Sequence, residues 1–172
     1  MTRHRTTVFA VFVAATAVSA AHADDFIFDY RSDMVCGSGT LSGVVNGNGW
    51  LTILGGNLNV ASGVYAGSYN LIGNANGTSP IISPSGYFIY DNQLSPNAPA
   101  TLNVYGLLFG RGATEINIWG TGANNPYTFY AHGNAGNVST GGEFTVTAVP
   151  APGAIALASL GVISLGIGRK RG

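Results

Sequence analysis

Charged side chains are scarce in this chain, and most of its cations lie at the two ends. Charged residues make up 8% of the 172 residues. Between residues 24 and 148 the only cations are Arg31 and Arg111, against seven acidic residues. Binding to a nucleic-acid backbone requires clustered cations that neutralise phosphates. This central part is acidic overall, and we therefore exclude nucleic acid as a partner.

Cysteine and histidine are also rare, which limits the chemistry available to the chain. A single cysteine, Cys36, excludes a framework of intrachain disulfides. We expect Cys36 to be a small buried side chain, with an intermolecular disulfide as the alternative. His132 is the sole histidine between residues 24 and 148, and it has no neighbours at the spacing of zinc ligands. We therefore predict a surface histidine, no metal site and no cofactor.

The N-terminus has the order of regions that directs export. Two cations, Arg3 and Arg5, precede an apolar stretch at 8–18. The segment 21–23, Ala-His-Ala, follows and has the small-x-small pattern that signal peptidase recognises. A stretch of about 11 apolar residues is too short to cross a bilayer, which takes about 20. We predict a signal peptide at 1–23, cleavage after Ala23 and export of the remainder.

The C-terminal segment 149–172, VPAPGAIALASLGVISLGIGRKRG, has the layout of a membrane anchor. Residues 153–168 carry no charge. As a helix they would extend about 24 Å at about 1.5 Å per residue, which is short of the ~30 Å hydrocarbon core but fits a thinned bilayer. A core helix of a globular domain would carry a polar face, which this segment lacks. We predict a single apolar helix at 153–168.

Prolines precede this helix and cations follow it. Pro150 and Pro152 impose extended backbone and prevent a preceding strand from continuing into the helix. Arg169, Lys170 and Arg171 form a stop-transfer signal, which holds the C-terminus on the cytoplasmic side. We therefore expect the helix to anchor the exported protein in the inner membrane.

This tail resembles the PEP-CTERM sorting signal of exported bacterial proteins, which exosortases process. Val149, Pro150 and Pro152 match the family's Val-Pro-x-Pro motif, and Ala151 stands where the family usually has Glu, so the tail is a VPAPGA-type variant. The resemblance implies an exosortase-like processing enzyme as a partner. It also implies transient or stable membrane anchoring, followed by a place at the cell surface or in an extracellular matrix.

The part between the two terminal signals, residues 24–148, is called the body here, and strand signals dominate it. Short runs rich in aromatic and β-branched residues are separated by Gly and Asn. In EINIW, Ile116 and Ile118 alternate with Glu115 and Asn117, as on a strand with one buried face. The predicted strands are Phe26–Tyr30, Trp50–Leu54, Val64–Ile72, Tyr87–Tyr90, Thr101–Phe109, Thr114–Trp119, Tyr127–His132 and Glu143–Val149.

Turn chemistry and strand spacing indicate the fold class. The Asn-Gly pairs at 46–49 and 76–77 tolerate the positive φ that tight hairpin turns need. About eight short strands at regular spacing predict one all-β domain, an antiparallel β-sandwich or a barrel-like body. A β-solenoid would show a fixed repeat, and no fixed period is present. The predicted order is signal peptide 1–23, body 24–148 and sorting segment 149–172.

Two carboxylates and a set of aromatic residues are the candidates for a functional site. Asp91 and Glu115 are the best pair for glycoside hydrolysis, which needs two converging carboxylates. Acids at strand ends are usually solvated, so we predict that the protein is not an enzyme. Rings with amide neighbours suit a sugar-binding surface, although packing is the commoner role of such residues. The aromatic candidates are Tyr87, Tyr90, Tyr105, Trp119, Tyr127 and Tyr130.

From this set we predict Tyr87, Tyr105 and Trp119 as the ligand platform. The sequence thus predicts an exported structural or interaction protein of the cell surface or extracellular matrix. The alternative is a carbohydrate-binding module that uses surface aromatic residues, with a polysaccharide as its partner.

Overall fold

The computed structural model describes residues 24–95, 101–120 and 126–149, and within them the chain forms β-strands and no helix. The predicted signal peptide at 1–23 and the tail from Pro150 onward lie outside the described residues. The strands are β1 Asp24–Arg31, β2 Cys36–Val45, β3 Leu51–Val60, β4 Gly67–Leu71, β5 Ile81–Ile82, β6 Ile89–Tyr90, β7 Gln93–Ser95, β8 Thr101–Leu102, β9 Leu107–Arg111, β10 Thr114–Trp119, β11 Tyr127–Gly133 and β12 Gly136–Ala148.

Eight of these strands form a closed antiparallel barrel. Strands β1 to β4 follow one another as neighbours, and so do β9 to β12. The barrel closes where β4 pairs with β9 and where β12 returns to β1, with Phe28 opposite Val146. Every barrel strand thus has a neighbour on both sides, which leaves the barrel no free edge. The prediction of an all-β body is confirmed, and of its two forms the barrel is the one observed.

Aromatic side chains fill the inside of the barrel. Phe28, Tyr30, Phe109 and Phe129 are fully buried. The Phe28 ring lies 5.8 Å from that of Phe109 and the Tyr30 ring 5.5 Å from that of Phe129, measured between centroids. In an eight-stranded barrel the interior is just wide enough for side chains to fill it. The interior of this barrel is a hydrophobic core.

Glycines on β2 make room for these large rings. Gly37 lies opposite Tyr30 and Gly39 opposite Phe28 in the β1–β2 ladder. A Cβ atom on Gly39 would lie 2.7 Å from Cε1 of Phe28 and would also collide with the carbonyl oxygen of Asn57. Because glycine occupies the inward positions 37 and 39, β2 lacks the apolar alternation that marks a strand in sequence. It was not among the predicted strands.

Between β4 and β9 the chain leaves the barrel and covers part of its outer surface. We call residues 72–92 the cover segment; it contains the β5–β6 hairpin. Its Phe88 and Tyr90 pack against Leu108, which points outward from β9. After the cover segment, β7 pairs with the beginning of β3, and β8 extends the sheet beyond β7. A second, smaller hydrophobic core therefore lies outside the barrel.

Several local predictions need correction. Cys36 is exposed, because the neighbouring Gly37 takes the inward position on β2. The predicted strand Thr101–Phe109 is divided into β8 and β9 by a turn at 103–106, where the side chain of Asn103 accepts hydrogen bonds from two backbone amides.

The turn at 46–49 is as predicted, with Gly49 at φ +83°. Among the described residues, no helix has the length and apolar character to cross a membrane.

Candidate binding surface

The outer face of β10 and β11 carries the polar and aromatic residues of the candidate site. Ile116 and Ile118 on β10, and Phe129 and Ala131 on β11, point inward to the core. Strand alternation therefore directs the residues between them outward. In the β10–β11 ladder the outward pairs are Glu115 with His132, Asn117 with Tyr130, and Trp119 with Thr128.

Four rings lie in contact on this face, and we call them the ring row: Tyr87, Trp119, Tyr130 and His132. The centroid of Tyr130 lies 6.3 Å from that of Trp119, with the planes inclined by 30°. Tyr87 reaches the row from the cover segment, 5.6 Å from Tyr130 and inclined by 35°. The Tyr87 ring also stacks almost parallel to His132, at 4.1 Å and 8°. Tyr87 is 46% exposed, and the other three are half-buried.

Hydrogen-bonding groups accompany the rings at the surface. The hydroxyls of Tyr87 and Tyr130 lie 2.7 Å apart. The side-chain amide of Asn137 donates to the Tyr87 hydroxyl at 3.4 Å, and its oxygen lies 2.8 Å from Nδ1 of His132. The hydrogen bond with Tyr87, followed by desolvation, raises the pKa of Tyr130. At neutral pH Tyr130 is therefore an uncharged phenol.

The structure brings together two of the three residues predicted as a ligand platform. Tyr87 and Trp119 both contact Tyr130. Tyr105 lies in the turn before β9, where its carbonyl oxygen accepts a hydrogen bond from Nδ2 of Asn117 at 3.0 Å. Among the described residues, the Tyr105 ring makes no contact with another ring.

Sequence reasoning assigned His132 and Asn137 no part in the platform. The alternation along β11 could have identified His132, because Thr128, Tyr130 and His132 occupy successive outward positions on this strand. Asn137 on β12 then lies opposite His132. Of the remaining aromatic candidates, Tyr90 and Tyr127 are 2% and 4% exposed and belong to the packed cores.

The two candidate catalytic carboxylates are buried, contrary to the expectation that they are solvated. Asp91 is 1% exposed and Glu115 is 4% exposed. Glu115 accepts two hydrogen bonds from Ser85 of the cover segment, at 2.9 Å from the backbone amide and 2.5 Å from the hydroxyl. Ser85 thereby fixes the tip of the β5–β6 hairpin to β10.

Asp91 is enclosed in the same way. Its carboxylate accepts hydrogen bonds from the side chain of Asn103 and from the backbone amide of Gln93, the latter at 3.1 Å. Burial raises the pKa of Asp91, and these hydrogen bonds act in the opposite direction. Both acids therefore serve to hold the cover segment and the following turn in place, an arrangement unlike that of two carboxylates open to a substrate.

Other parts of the described surface have fewer groups that could bind a ligand. A shallow outer cleft of about 530 Å³ lies over β1, β2 and β3, and its only ionisable lining residue is Asp25. Within residues 24–95, 101–120 and 126–149, no three His, Cys, Asp or Glu side chains are close enough to hold a metal ion. The ring row is thus the place where aromatic and hydrogen-bonding groups converge.

Comparison with protein-family models, curated proteins and solved structures found no match.

Proposed function

We propose that this protein is an exported, non-catalytic protein of the cell surface or extracellular matrix, held and sorted by its C-terminal tail. The observation that carries the proposal is the arrangement of the chain. The first strand of the closed barrel begins at Asp24, directly after the predicted cleavage site, and its last strand ends at Ala148, two residues before the first tail proline, Pro150. Its interior is filled by side chains, and its two best-placed carboxylates make structural hydrogen bonds.

The tail supplies the sorting step in this proposal. Signal peptidase removes residues 1–23, and the helix predicted at 153–168 then halts in the inner membrane. An exosortase-like enzyme is the partner that acts near Pro150 and Pro152, and Ala151 at the usual Glu position makes the tail a substrate for a variant of that enzyme. The protein then reaches the cell surface or remains at the membrane.

Fractionation of cells that produce tail variants tests this proposal. With a tag inserted after Ala23, deletion of residues 150–172 should release a soluble body into the medium, because Val149 and the whole barrel are retained. Changing Arg169, Lys170 and Arg171 to Ser should release full-length protein, because placing one cation at the bilayer centre opposes insertion by roughly 2.5–3.5 kcal/mol and these cations fix the helix orientation. A truncated body that stays with the inner membrane would overturn the proposed role of the tail.

A second candidate function is carbohydrate binding by the body. The ring row favours it, because amphipathic rings on an accessible strand face stand beside phenol and amide groups that can bond sugar hydroxyls. A glycan array probed with the exported protein tests this candidate. The absence of binding to any glycan would leave the structural role as the function.

A further inference from the structure

We propose that the ring row, Tyr87, Trp119, Tyr130 and His132, binds a single chain of a neutral polysaccharide. This inference rests on the second candidate function and specifies both its site and its ligand class. It replaces the platform predicted from sequence, since Tyr105 is not part of the row and Tyr130 and His132 are.

The charge of the row favours a neutral ligand. The hydrogen bond with Tyr87 keeps the pKa of Tyr130 above its ordinary value, so this phenol carries no charge at neutral pH. The carboxylate nearest in the β10–β11 ladder, Glu115, is buried and bonded to Ser85. Neither an anionic nor a cationic polymer would find a set of opposite charges here. Ring faces for C–H groups, with phenol and amide groups for hydroxyls, are what a neutral sugar needs.

The geometry of the row favours one chain over a crystalline surface. Flat crystalline polysaccharide would require coplanar rings. Here the plane of Tyr130 is inclined by 30° to Trp119 and by 35° to Tyr87. Neighbouring β-strands are twisted relative to one another, so rings carried by β10 and β11 need not share a plane. A single polysaccharide chain that turns along its axis can follow such a row, whereas a flat face cannot lie parallel to Tyr130 and to either of its two neighbours at once.

The cover segment completes the row, because Tyr87 comes from it and not from the barrel. Glu115 binds Ser85, and the hydroxyl of Ser85 accepts a hydrogen bond from the backbone amide of Tyr87 at 3.2 Å. On the other side, the Tyr87 ring stacks on His132. These contacts place the exposed Tyr87 ring before a ligand arrives, which reduces the ordering that binding would otherwise require.

An exposed apolar pair nearby presents a different kind of surface. Ile82 and Ile89 lie opposite each other in the β5–β6 hairpin, and they are 67% and 53% exposed. A protein partner that docks on this hairpin would contact these isoleucines as well as Tyr87, whereas a sugar chain lying on the ring row depends on Trp119 and Tyr130. Variants at the two places therefore separate the two kinds of ligand.

Affinity electrophoresis and calorimetry of the full-length protein test the inference. The probes are soluble β-glucan, α-glucan, xylan and galactomannan, with alginate as an anionic polymer and crystalline cellulose as a flat surface. Tyr87→Ala and Trp119→Ala should each weaken binding to a neutral soluble probe about tenfold or more. Tyr105→Ala and Trp50→Ala are matched controls outside the row and should leave binding unchanged, as should Ile82→Ser. Circular dichroism of each variant verifies that the barrel has formed.

The outcomes distinguish an error in the proposed site from an error in the proposed function. If the protein binds a neutral polysaccharide and the variants Tyr87→Ala and Trp119→Ala bind it as tightly, the ring row is the wrong site while carbohydrate binding stands. If no probe binds, carbohydrate binding itself is overturned. Binding to alginate alone, or to crystalline cellulose in preference to soluble chains, would overturn the ligand class. Loss of binding in Ile82→Ser would assign the contact to the hairpin instead.

Discussion

At the scale of single residues, the packing of the barrel depends on large rings that lie against glycines, which have no side chain. Tyr30 lies beside Gly37 on one neighbouring strand and Gly142 on the other, and a Cβ on Gly142 would lie 2.8 Å from the Tyr30 hydroxyl oxygen. The same hydroxyl donates to the carbonyl oxygen of Thr140 at 2.8 Å. Glycine at these places serves close packing, and a larger residue would displace a ring that is completely buried.

Gly39 provides a direct test of this fit. Because a Cβ on Gly39 would collide with Phe28 and the Asn57 carbonyl oxygen, we expect Gly39→Ala to lower the free energy of unfolding by about 1–3 kcal/mol, as overpacking of a core does. Gly47 is the control, since nothing lies within 4 Å of a Cβ there. Gly47→Ala should change the free energy by no more than about 0.5 kcal/mol. Urea titration measures both, and equal stability of the two variants would contradict the packing argument.

Tyr30 gives the barrel a dependence on alkaline pH. Burial raises its pKa from the ordinary value of 10.0 to about 12. The unfolded chain therefore loses this proton first as the pH rises, so the contribution of Tyr30 to stability is complete below pH 10 and is lost between about pH 10 and 12. Desolvation also raises the pKa values of Tyr69, Tyr90 and Tyr127. We expect stability to fall steeply across this alkaline range.

The variant Tyr30→Phe isolates that contribution. It removes a buried hydrogen-bond donor, so at pH 7 it should lower the free energy of unfolding by about 1 kcal/mol. Because Phe does not titrate, the variant should lose less stability than the wild type between pH 10 and 12. Urea titrations at several pH values measure both effects. Parallel pH curves for the two proteins would show that Tyr30 is not the titrating group.

At the scale of elements, the cover segment is held to the outside of the barrel by polar contacts as well as by the packing of Phe88 and Tyr90 on Leu108, and the barrel is complete without it. Asn92 anchors its end: the side-chain oxygen accepts from the backbone amide of Leu108 at 3.0 Å, and the side-chain nitrogen donates to the carbonyl oxygen of Ile72 at 2.7 Å. Asn92 adopts φ 53°, a left-handed conformation that asparagine tolerates better than most residues. The segment should therefore open locally while the barrel remains folded.

Glu115→Ala tests this independence. Losing the carboxylate frees Ser85, and we expect the β5–β6 hairpin to open more readily, by about 1–3 kcal/mol. The readout is hydrogen exchange at the backbone amides of Ser83 and Phe88, which are bonded within the hairpin. Glu143→Ala, at an exposed position on β12, is the control and should leave this exchange unchanged. If exchange across the barrel core accelerates equally in Glu115→Ala, the cover segment and barrel open together.

Strands with regular alternation of apolar and polar residues were predictable from sequence. Strands whose residue types are set by packing against residues far away in the chain were not. β10 has the predicted bounds, and β11 extends the predicted strand by one residue, because Ile and Phe alternate with polar residues in them. β2 was missed because its glycines match Phe28 and Tyr30 on another strand. The burial of Asp91 was missed for a related reason, since one of the amides bonded to its carboxylate belongs to Asn103, in the turn before β9. For the ring row, the register of β10 and β11 was readable, but the arrival of Tyr87 over His132 was not.

At the scale of the whole molecule, local sequence patterns did not decide between a sandwich and a barrel. Closure of the sheet is the feature that distinguishes the two. The two closing ladders, β4–β9 and β12–β1, join strands that are far apart in sequence. β12 is long enough to serve two neighbours, since residues 136–142 pair with β11 and residues 143–148 with β1. The second half of β12 is therefore what closes the barrel.

Deletion of residues 143–172 tests the importance of this closure. It leaves β1 without its β12 partner and exposes the core next to Phe26 and Phe28, so we expect loss of cooperative unfolding. The protein lacking only residues 150–172 is the matched control and should unfold in one transition. Thermal melts followed by near-ultraviolet circular dichroism measure this. A cooperative transition of equal midpoint in both proteins would mean that the β1–β12 ladder is dispensable.

The hydrogen bond from the Val149 amide to the Asp25 carbonyl oxygen, 2.7 Å long, marks where the two ends of the barrel meet. The ends leave neighbouring antiparallel strands side by side, and this arrangement determines how the molecule responds to mechanical load. Force applied between the two ends acts on the first rung of the β1–β12 ladder and peels the rungs apart one after another. No direction of pulling between these ends shears the whole ladder at once. A body tethered through its C-terminus and gripped near Asp24 would therefore yield at low force by unzipping, and single-molecule stretching between these two points should record that weak axis.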